Sequence, residues 1–543
     1  MPVQLNSVQA NAALLEAGIQ GLHTGGSEAI HGVSDRNVRG TREAAIQQLR
    51  QVLIDSQRVF LHDGAVVFEA RSARDGNRLV PILTGDRITP SATAFLAELA
   101  DGAVMGSSGL TTFQLPGKLV AEVLVHPQTL DNMPRIDWYG RRPAFSLTFE
   151  TLGPGYHVES RSLIHGSPAV PAQPWVPQAN VPALDRLPPH LRRLLKDFCF
   201  SEPADLANAV AALLSGLLMN HLVSAGKPPF LVDANQKSLG KTLLATIIAL
   251  ILDGVEPPLI HDTPDEDELG KRLGSAIRPG QASTVLLFDN RKGTIGGNLL
   301  ESLALAPRVN VRELGRNADL SRQNNLLWMF TANNATATAD MTSRFVVIRL
   351  RYEGDPKEKF AVTNVEEQSL KQYAREHRAE IFGELMGMVE RWREAGSPLG
   401  ARRHRCTHWS NMIGGVLTVA GFGDAFLANQ DAVVAELDQE LDDLAALAEI
   451  AIRRSSSPGF VVVTGLLPVQ NGAGRRAADW SPLFQEARVC QAAYAYGASE
   501  RSRATAIGRF FSSRIGRPVP VLCGNATGVA VLRAQSERLL TAD

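Results

Sequence analysis

The run FLVDANQKSLGKTLLATIIALIL, residues 230–252, reads in three parts. Phe230–Val232 is a short apolar stretch of the kind buried in a sheet, and the run after Thr242 is an almost uninterrupted apolar helix. Between them lies a polar turn ending in Gly240-Lys241-Thr242. Strand, tight turn and helix N-terminus in that order expose backbone N–H groups at the positive end of a helix dipole, which suits a phosphate. Lys241 is placed to reach the outer phosphates of a nucleotide and the Thr242 hydroxyl to take a position on Mg²⁺, with Asn235, Leu239 and Gly240 completing the loop. The full pattern G-x-x-x-x-G-K-[ST] has one departure, because Asn235 stands where the first glycine belongs. Asparagine tolerates positive φ better than most residues, so the turn is still expected there.

Downstream, PPLIHDTP gives a second short strand and DEDELGKRLGSAI an acidic helix start, then STVLLFDN gives an apolar strand closing on Asp289-Asn290. An acid at the carboxyl end of a buried parallel strand, in this position after a phosphate loop, is where a Walker B aspartate orders Mg²⁺. The plainer reading is a strand-terminating Asp-Asn turn. Asn290 stands where ring ATPases usually carry a glutamate. Either its amide positions water, or a carboxylate elsewhere, such as Glu268 or Glu313, acts as base. The segment RVNVRELGRNADLSRQNNLLWMFTANN reads as a hairpin over residues 309–322 and then a buried strand ending at Asn333-Asn334, with Asn333 placed to sense a γ-phosphate. Arg344, in DMTSRFVVIRL, stands before a last strand, where an arginine is either an ordinary strand residue or a finger offered to a neighbouring subunit's site.

The order of phosphate loop, LLFDN, VRELG, MFTANN and D-x-x-x-R before a strand resembles the superfamily 3-like AAA+ helicases. More narrowly it resembles the helicase part of primase-helicases and replication initiators carried by phages, plasmids and integrative elements. DNMPRIDWYGRRPAFSLTFETLGPGYHVES, RYEGDPKEKF and HWSNMIGGVLTVAGFGDAF resemble segments flanking that core, so the likeness runs from about Thr41 to Leu437. The resemblance implies ATP and Mg²⁺ as cofactors, ATP sites between subunits, and a homo-oligomer, a hexameric ring, driving single-stranded DNA through its pore. It implies that the hairpin grips the strand through Arg316 and Arg322, with Arg291 and Lys292 as weaker pore residues. Asp-Asn at the Walker B position is familiar in that group. A separate primase is an expected partner: the N-terminal segment shows neither a paired-carboxylate signature with a following His nor preceding zinc-ribbon cysteines.

Length bounds the rest. A chain of 543 residues holds roughly three or four domains. The expected fold is multidomain α/β. A loose arm (1–40) precedes an N-terminal α/β module (41–165), a Pro-rich linker (166–189) and a helical collar (190–225). An AAA+ core with a parallel sheet (226–356), a helical lid (357–455) and a winged-helix-like domain (456–543) follow. The linker assignment rests on seven prolines between Pro168 and Pro189. A net charge of −1 confines nucleic-acid contact to local basic patches. The strongest such patch lies between Tyr496 and Arg533, where six arginines meet one acid, Glu500. SPLFQEARVCQAAYAYG, ATAIGRFFSSRIGR and PVPVLCGNATGVAVLR read there as helix, helix and hairpin. Arg501, Arg503, Arg509 and Arg514 are thereby expected to contact the phosphates of duplex DNA. The four scattered cysteines read as buried thiols. No basic leader opens the chain, the first Lys or Arg being Arg36, and no apolar run spans a bilayer, so a cytoplasmic protein without membrane contact is expected. A second function stays open: a nucleotide-switched, DNA-bound assembly or defence-system ATPase with weak turnover. A third is a winged-helix protein whose loop is degenerate.

Overall fold

Five strands, all parallel, form the centre of the chain: β1 (Phe230–Ala234), β2 (Leu259–His261), β3 (Val285–Arg291), β4 (Leu327–Asn333) and β5 (Val346–Leu350). Their order across the sheet is β2-β3-β4-β1-β5. The chain is thus mixed α/β, with the five-stranded parallel sheet expected of a phosphate-loop helicase-like core. The computed structural model describes residues 47–454 except 48, 52, 71–77, 85–86, 102–116, 166–169, 262, 264, 278–282, 313–318, 356–362 and 438, together with 481–489, 510, 518–523 and 526–531. The expected loose arm lies outside these residues.

Why a parallel sheet forms here is plain from its strands. β1 and β5 are buried at every position, and β4 at all but its last, so alternating polarity is absent and both faces must be covered. The helix Lys241–Asp253 packs on β1, β3 and β4, and the helix Pro203–Leu217 packs on β5. The latter is buried along nearly its whole length. It is a core helix; much of the collar expected over 190–225 is therefore part of the interior packed on the sheet.

The described residues fall into two compact units. The first contains the sheet, everything described before it, the hairpin Arg308–Arg312/Asp319–Gln323, and residues 346–428. Within it the N-terminal segment has its own small core around Leu53, Val59, Phe68, Phe95 and Val123. Trp138, Phe145 and Ile164 belong instead to the main core, so the boundary expected near 165 is not a packing boundary. The Pro-rich segment is seated rather than spanning solvent. Gln173 N–H donates to Gly383 O at 2.8 Å, and a Cβ on Gly387 would come within 2.0 Å of Gln173 O. Glycines four apart on the helix Arg378–Glu394 thus clear the groove in which an extended strand lies.

The second unit gathers Lys292–Glu301, Ala335–Phe345 and the chain from Asn429 onward. Here Thr294–Ile295 pairs in parallel with Thr336–Ala337. Leu444, Leu447 and Ile450 are buried on the helix Gln439–Arg454, which packs on the strand Pro518–Cys523 and the helix Ser481–Glu486. The lid expected over 357–455 therefore divides after Ala428. The C-terminal hairpin is present as Pro518–Cys523 against Ala526–Val531, and Phe484 meets Phe510 edge to face at 5.1 Å. Arg501, Arg503, Arg509 and Arg514 lie outside the described residues. Among the described residues no helix is long and apolar enough to cross a membrane.

Candidate functional site: a phosphate loop at the carboxyl end of the sheet

The strand order decides which side chains meet. β4 lies between β1 and β3, and Ala234, Asn333 and Leu350 share one rung. The loop leaving β1 therefore turns up beside Asn333, with Asp289 one strand further along. Gly240 takes φ +84° at the start of the helix, where the left-handed region favours glycine. A Cβ there would also sit 3.1 Å from the Phe198 ring. Ser238 is left-handed too, at φ +63°. Asn235 is not. The expectation that it would supply the positive φ of the missing glycine is corrected: its amide bonds the chain after β5 in both directions. Asn235 Nδ2 donates to Tyr352 O at 3.1 Å and Tyr352 N–H donates back to Asn235 Oδ1 at 3.3 Å. A glycine could do neither. Leu239 is fully buried in the core.

Lys241 begins the helix, and its ammonium donates to Asn333 Oδ1 at 2.6 Å. Burial pulls its pKa below the usual lysine value, with the charges of Asp233 and Asp289 opposing. The Thr242 hydroxyl donates to Asp289 Oδ1 at 2.7 Å. Lys241, Thr242, Asp289 and Asn333 are thus brought together, linked pairwise by hydrogen bonds at a helix N-terminus.

Asp289-Asn290 is not a strand end, since β3 continues to Arg291. The register moves from Phe288↔Phe330 to Arg291↔Ala332, so one extra residue bulges from β3 at this point. Asn290 carries the bulge with φ +51°. The left-handed region tolerates Asn well and a longer acid poorly, which is a physical reason for amide over glutamate at this position. Its N–H donates to Thr331 Oγ1 at 2.7 Å, and the same hydroxyl donates to Asp289 Oδ1 at 2.7 Å. Thr331 is a site residue the sequence reading missed. The signal was present: it lies two positions before Asn333 on the same strand and therefore on the same face. Of the alternative bases, Glu268 is paired with Arg272 at 3.1 Å and Lys271 at 3.7 Å, and Glu313 lies outside the described residues.

The remaining candidates have other partners or lie outside the described residues. Arg344 belongs to the second unit, where its buried guanidinium bonds the Asp340 carboxylate and the Glu301 carbonyl. Arg322 turns inward at the hairpin base. Its guanidinium donates to Ile277 O and Asn325 Oδ1, both at 3.2 Å, and burial lowers its pKa against the charges of Asp63 and Asp253. The expectation that it faces DNA is therefore corrected. Arg316 lies outside the described residues; Arg291 is buried and Lys292 exposed.

The sequence matches no family model and no curated protein. Among solved structures, an apo NrS-1 C-terminal region is similar over 90% of this chain and 98% of its own, at 9% identity and a TM-score of 0.41. An SCCmec type IV Cch described as an active helicase is similar over 74% and 78%, at 12% identity and a TM-score of 0.35. A JCV helicase is similar over 40% and 65%, at 17% identity and a TM-score of 0.21. Likenesses this distant carry no functional argument, which rests instead on the geometry above.

Proposed function

We propose that this chain is an ATP-dependent DNA helicase or replication-initiator ATPase of the superfamily 3-like AAA+ group, of the kind carried by mobile elements. It would work as a homo-oligomeric ring, a hexamer, with ATP between subunits. Single-stranded DNA would lie in the pore, duplex DNA would meet the C-terminal winged helix, and a separate primase would be a partner. The observation that carries the reading is the convergence of Lys241, Thr242, Asp289 and Asn333 at one helix N-terminus, with β4 interposed between the loop strand and the acid strand.

The residues fit Mg²⁺ and ATP. Thr242 and Asp289 offer a hydroxyl and a carboxylate already within hydrogen-bond distance, the hard oxygen donors that Mg²⁺ prefers. Lys241 is bonded to a neutral amide, which it can exchange for phosphate oxygens without abandoning a carboxylate. When bound, Mg²⁺-ATP supplies the transferable phosphoryl group and a cation that offsets its charge. Lys241 would hold the outer phosphates, and Thr242 with Asp289 would hold the metal. Asn333, displaced from Lys241, would turn its amide to the γ-phosphate and the attacking water, alongside Asn290. For Arg344 to act as a finger in a neighbouring subunit's site it must first leave Asp340, which couples subunit contact to turnover.

One observation favours the alternative, a nucleotide-switched DNA-bound assembly with weak hydrolysis: the residue after Asp289 is an exposed amide with no basic function. ATP turnover by the purified protein, with and without single-stranded DNA, separates the two. We expect DNA-stimulated turnover, lost with nucleotide binding in Lys241→Ala and lost without it in Arg344→Ala. Binding without turnover in the wild type would select the switch, and full turnover in Arg344→Ala would remove the finger.

A further inference from the structure

The turn of the N-terminal hairpin ends on a second hairpin. Val59–His62 and Ala65–Ala70 pair through a two-residue turn in which Asp63 (φ +52°) and Gly64 (φ +78°) are both left-handed. Such a turn follows the natural twist of its strands, so the carboxylate at its tip is held in a defined place. That carboxylate accepts from Arg308 Nη1 at 2.9 Å and from the Gln323 N–H, at 3.2 Å to Oδ1 and 3.3 Å to Oδ2. His62 Nε2 lies 3.5 Å from it. Arg308 and Gln323 face each other across the last rung of the hairpin Arg308–Arg312/Asp319–Gln323. One carboxylate therefore ties both strands together where they leave the core.

Other bonds gather at the same end. Arg308 Nε donates to Ser321 Oγ at 3.0 Å, and Arg322 is anchored to Ile277 and Asn325. The rung Arg312↔Asp319 lies about 14 Å away, four strand steps toward the turn. A two-stranded hairpin is marginally stable by itself.

We propose that Asp63 is a positioning residue for DNA engagement, and that the N-terminal segment serves to clamp the two strands Arg308–Arg312 and Asp319–Gln323 at their base. The inference rests on the reading of that hairpin as the element that grips DNA. The Asp63 side chain is 18% exposed and that of Arg308 41%, so the pair is only partly shielded from salt.

The test is ATP turnover of the full chain as a function of single-stranded DNA concentration. Asp63→Asn keeps a residue suited to the left-handed turn and an acceptor for the Gln323 N–H, and removes only the charge. Its half-saturating DNA concentration is expected to rise about fivefold, with basal turnover and the KM for ATP unchanged. Arg308→Gln is expected to match it, Arg308→Lys to stay near wild type, and the Asp63→Asn/Arg308→Gln pair to add nothing beyond either single change. Wild-type DNA dependence in Asp63→Asn, or equal loss of basal and stimulated turnover, overturns the clamp. Absence of DNA stimulation in the wild type overturns the helicase reading beneath it.

Discussion

At the carboxyl end of the sheet, Lys241, Thr242, Asp289 and Asn333 hydrogen-bond one another at the mouth of a helix; at the amino end, a second polar network does so in the interior. There Arg142 Nη1 donates to Asp253 Oδ1 at 3.0 Å and to Thr284 Oγ1 at 2.8 Å, and Asp253 Oδ2 accepts the Thr284 N–H at 2.6 Å. Asp253 ends the phosphate-loop helix, where the dipole disfavours an acid. Arg142 compensates, and Arg378 donates to the terminal carbonyls of Ile251 at 2.6 Å and Leu252 at 2.8 Å. The two ends share one helix and three strands yet differ in kind. The carboxyl-end bonds join groups that a ligand can take over, whereas those at the amino end join groups that nothing else reaches. The first network lies at a helix N-terminus; the second fixes the frame that the loop is mounted on.

Breaking the frame is expected to have the largest effect. Arg142→Ala leaves Asp253 buried beside two hydroxyls without the cation bonded to it, a loss of roughly 3 kcal/mol. The melting temperature of the full chain should fall by several degrees, while ATP turnover per folded molecule at low temperature stays at the wild-type level. A wild-type melting temperature would show that Ser283 and Thr284 alone satisfy Asp253 and that the two ends do not divide as described.

Lys227 sharpens the comparison through pH. Its ammonium is fully buried at the amino end, donating to Asn324 O at 2.5 Å, and burial pushes its pKa down to about 7 from 10.5. Between those values the folded chain binds fewer protons than the unfolded one, so this group makes stability rise with pH from about 7 toward 10.5. Below pH 7 both states are charged and the cost of burial is complete. The slope is at most about 1.4 kcal/mol per pH unit for one proton. Melting at pH 7 and pH 9 should show this gain in the wild type and its absence in Lys227→Met. Parallel pH dependence in the two proteins would mean that Lys227 keeps its charge throughout.

The legibility of the two ends differed for the same reason. Gly240-Lys241-Thr242, Asp289 and Asn333 stood out in the sequence because each is a distinctive residue type next to a recognisable strand or helix. Arg142 and Asp253 are 111 positions apart and meet only through the fold, so no spacing marked them. Asp63-Gly64 is a turn-forming pair, but the docking of the hairpin Val59–Ala70 on Arg308 and Gln323 leaves no local mark, since it spans about half the chain. Asn235 and Asn290 were visible as departures from a pattern. Their explanations, a bond to Tyr352 and a left-handed bulge, needed coordinates.

Thr331 is where the two kinds of bonding meet. It is fully buried like the amino-end network, yet its hydroxyl holds Asp289 and the Asn290 N–H at the carboxyl end. Thr331→Val keeps the shape and β-branching of the side chain and removes that hydroxyl. Among the described residues Asp289 then keeps its hydrogen bond from Thr242, a group the metal would also engage, so its orientation is no longer set independently of the ligand. Turnover and apparent Mg²⁺ affinity should each fall about tenfold, the loss expected when the partner that orients a metal ligand is removed. Nucleotide affinity measured without metal should be unchanged, and Thr331→Ser should restore most of the loss. If Thr331→Val turns over like the wild type, Thr242 alone orients Asp289, and the loop end of the sheet has no fixed component of its own.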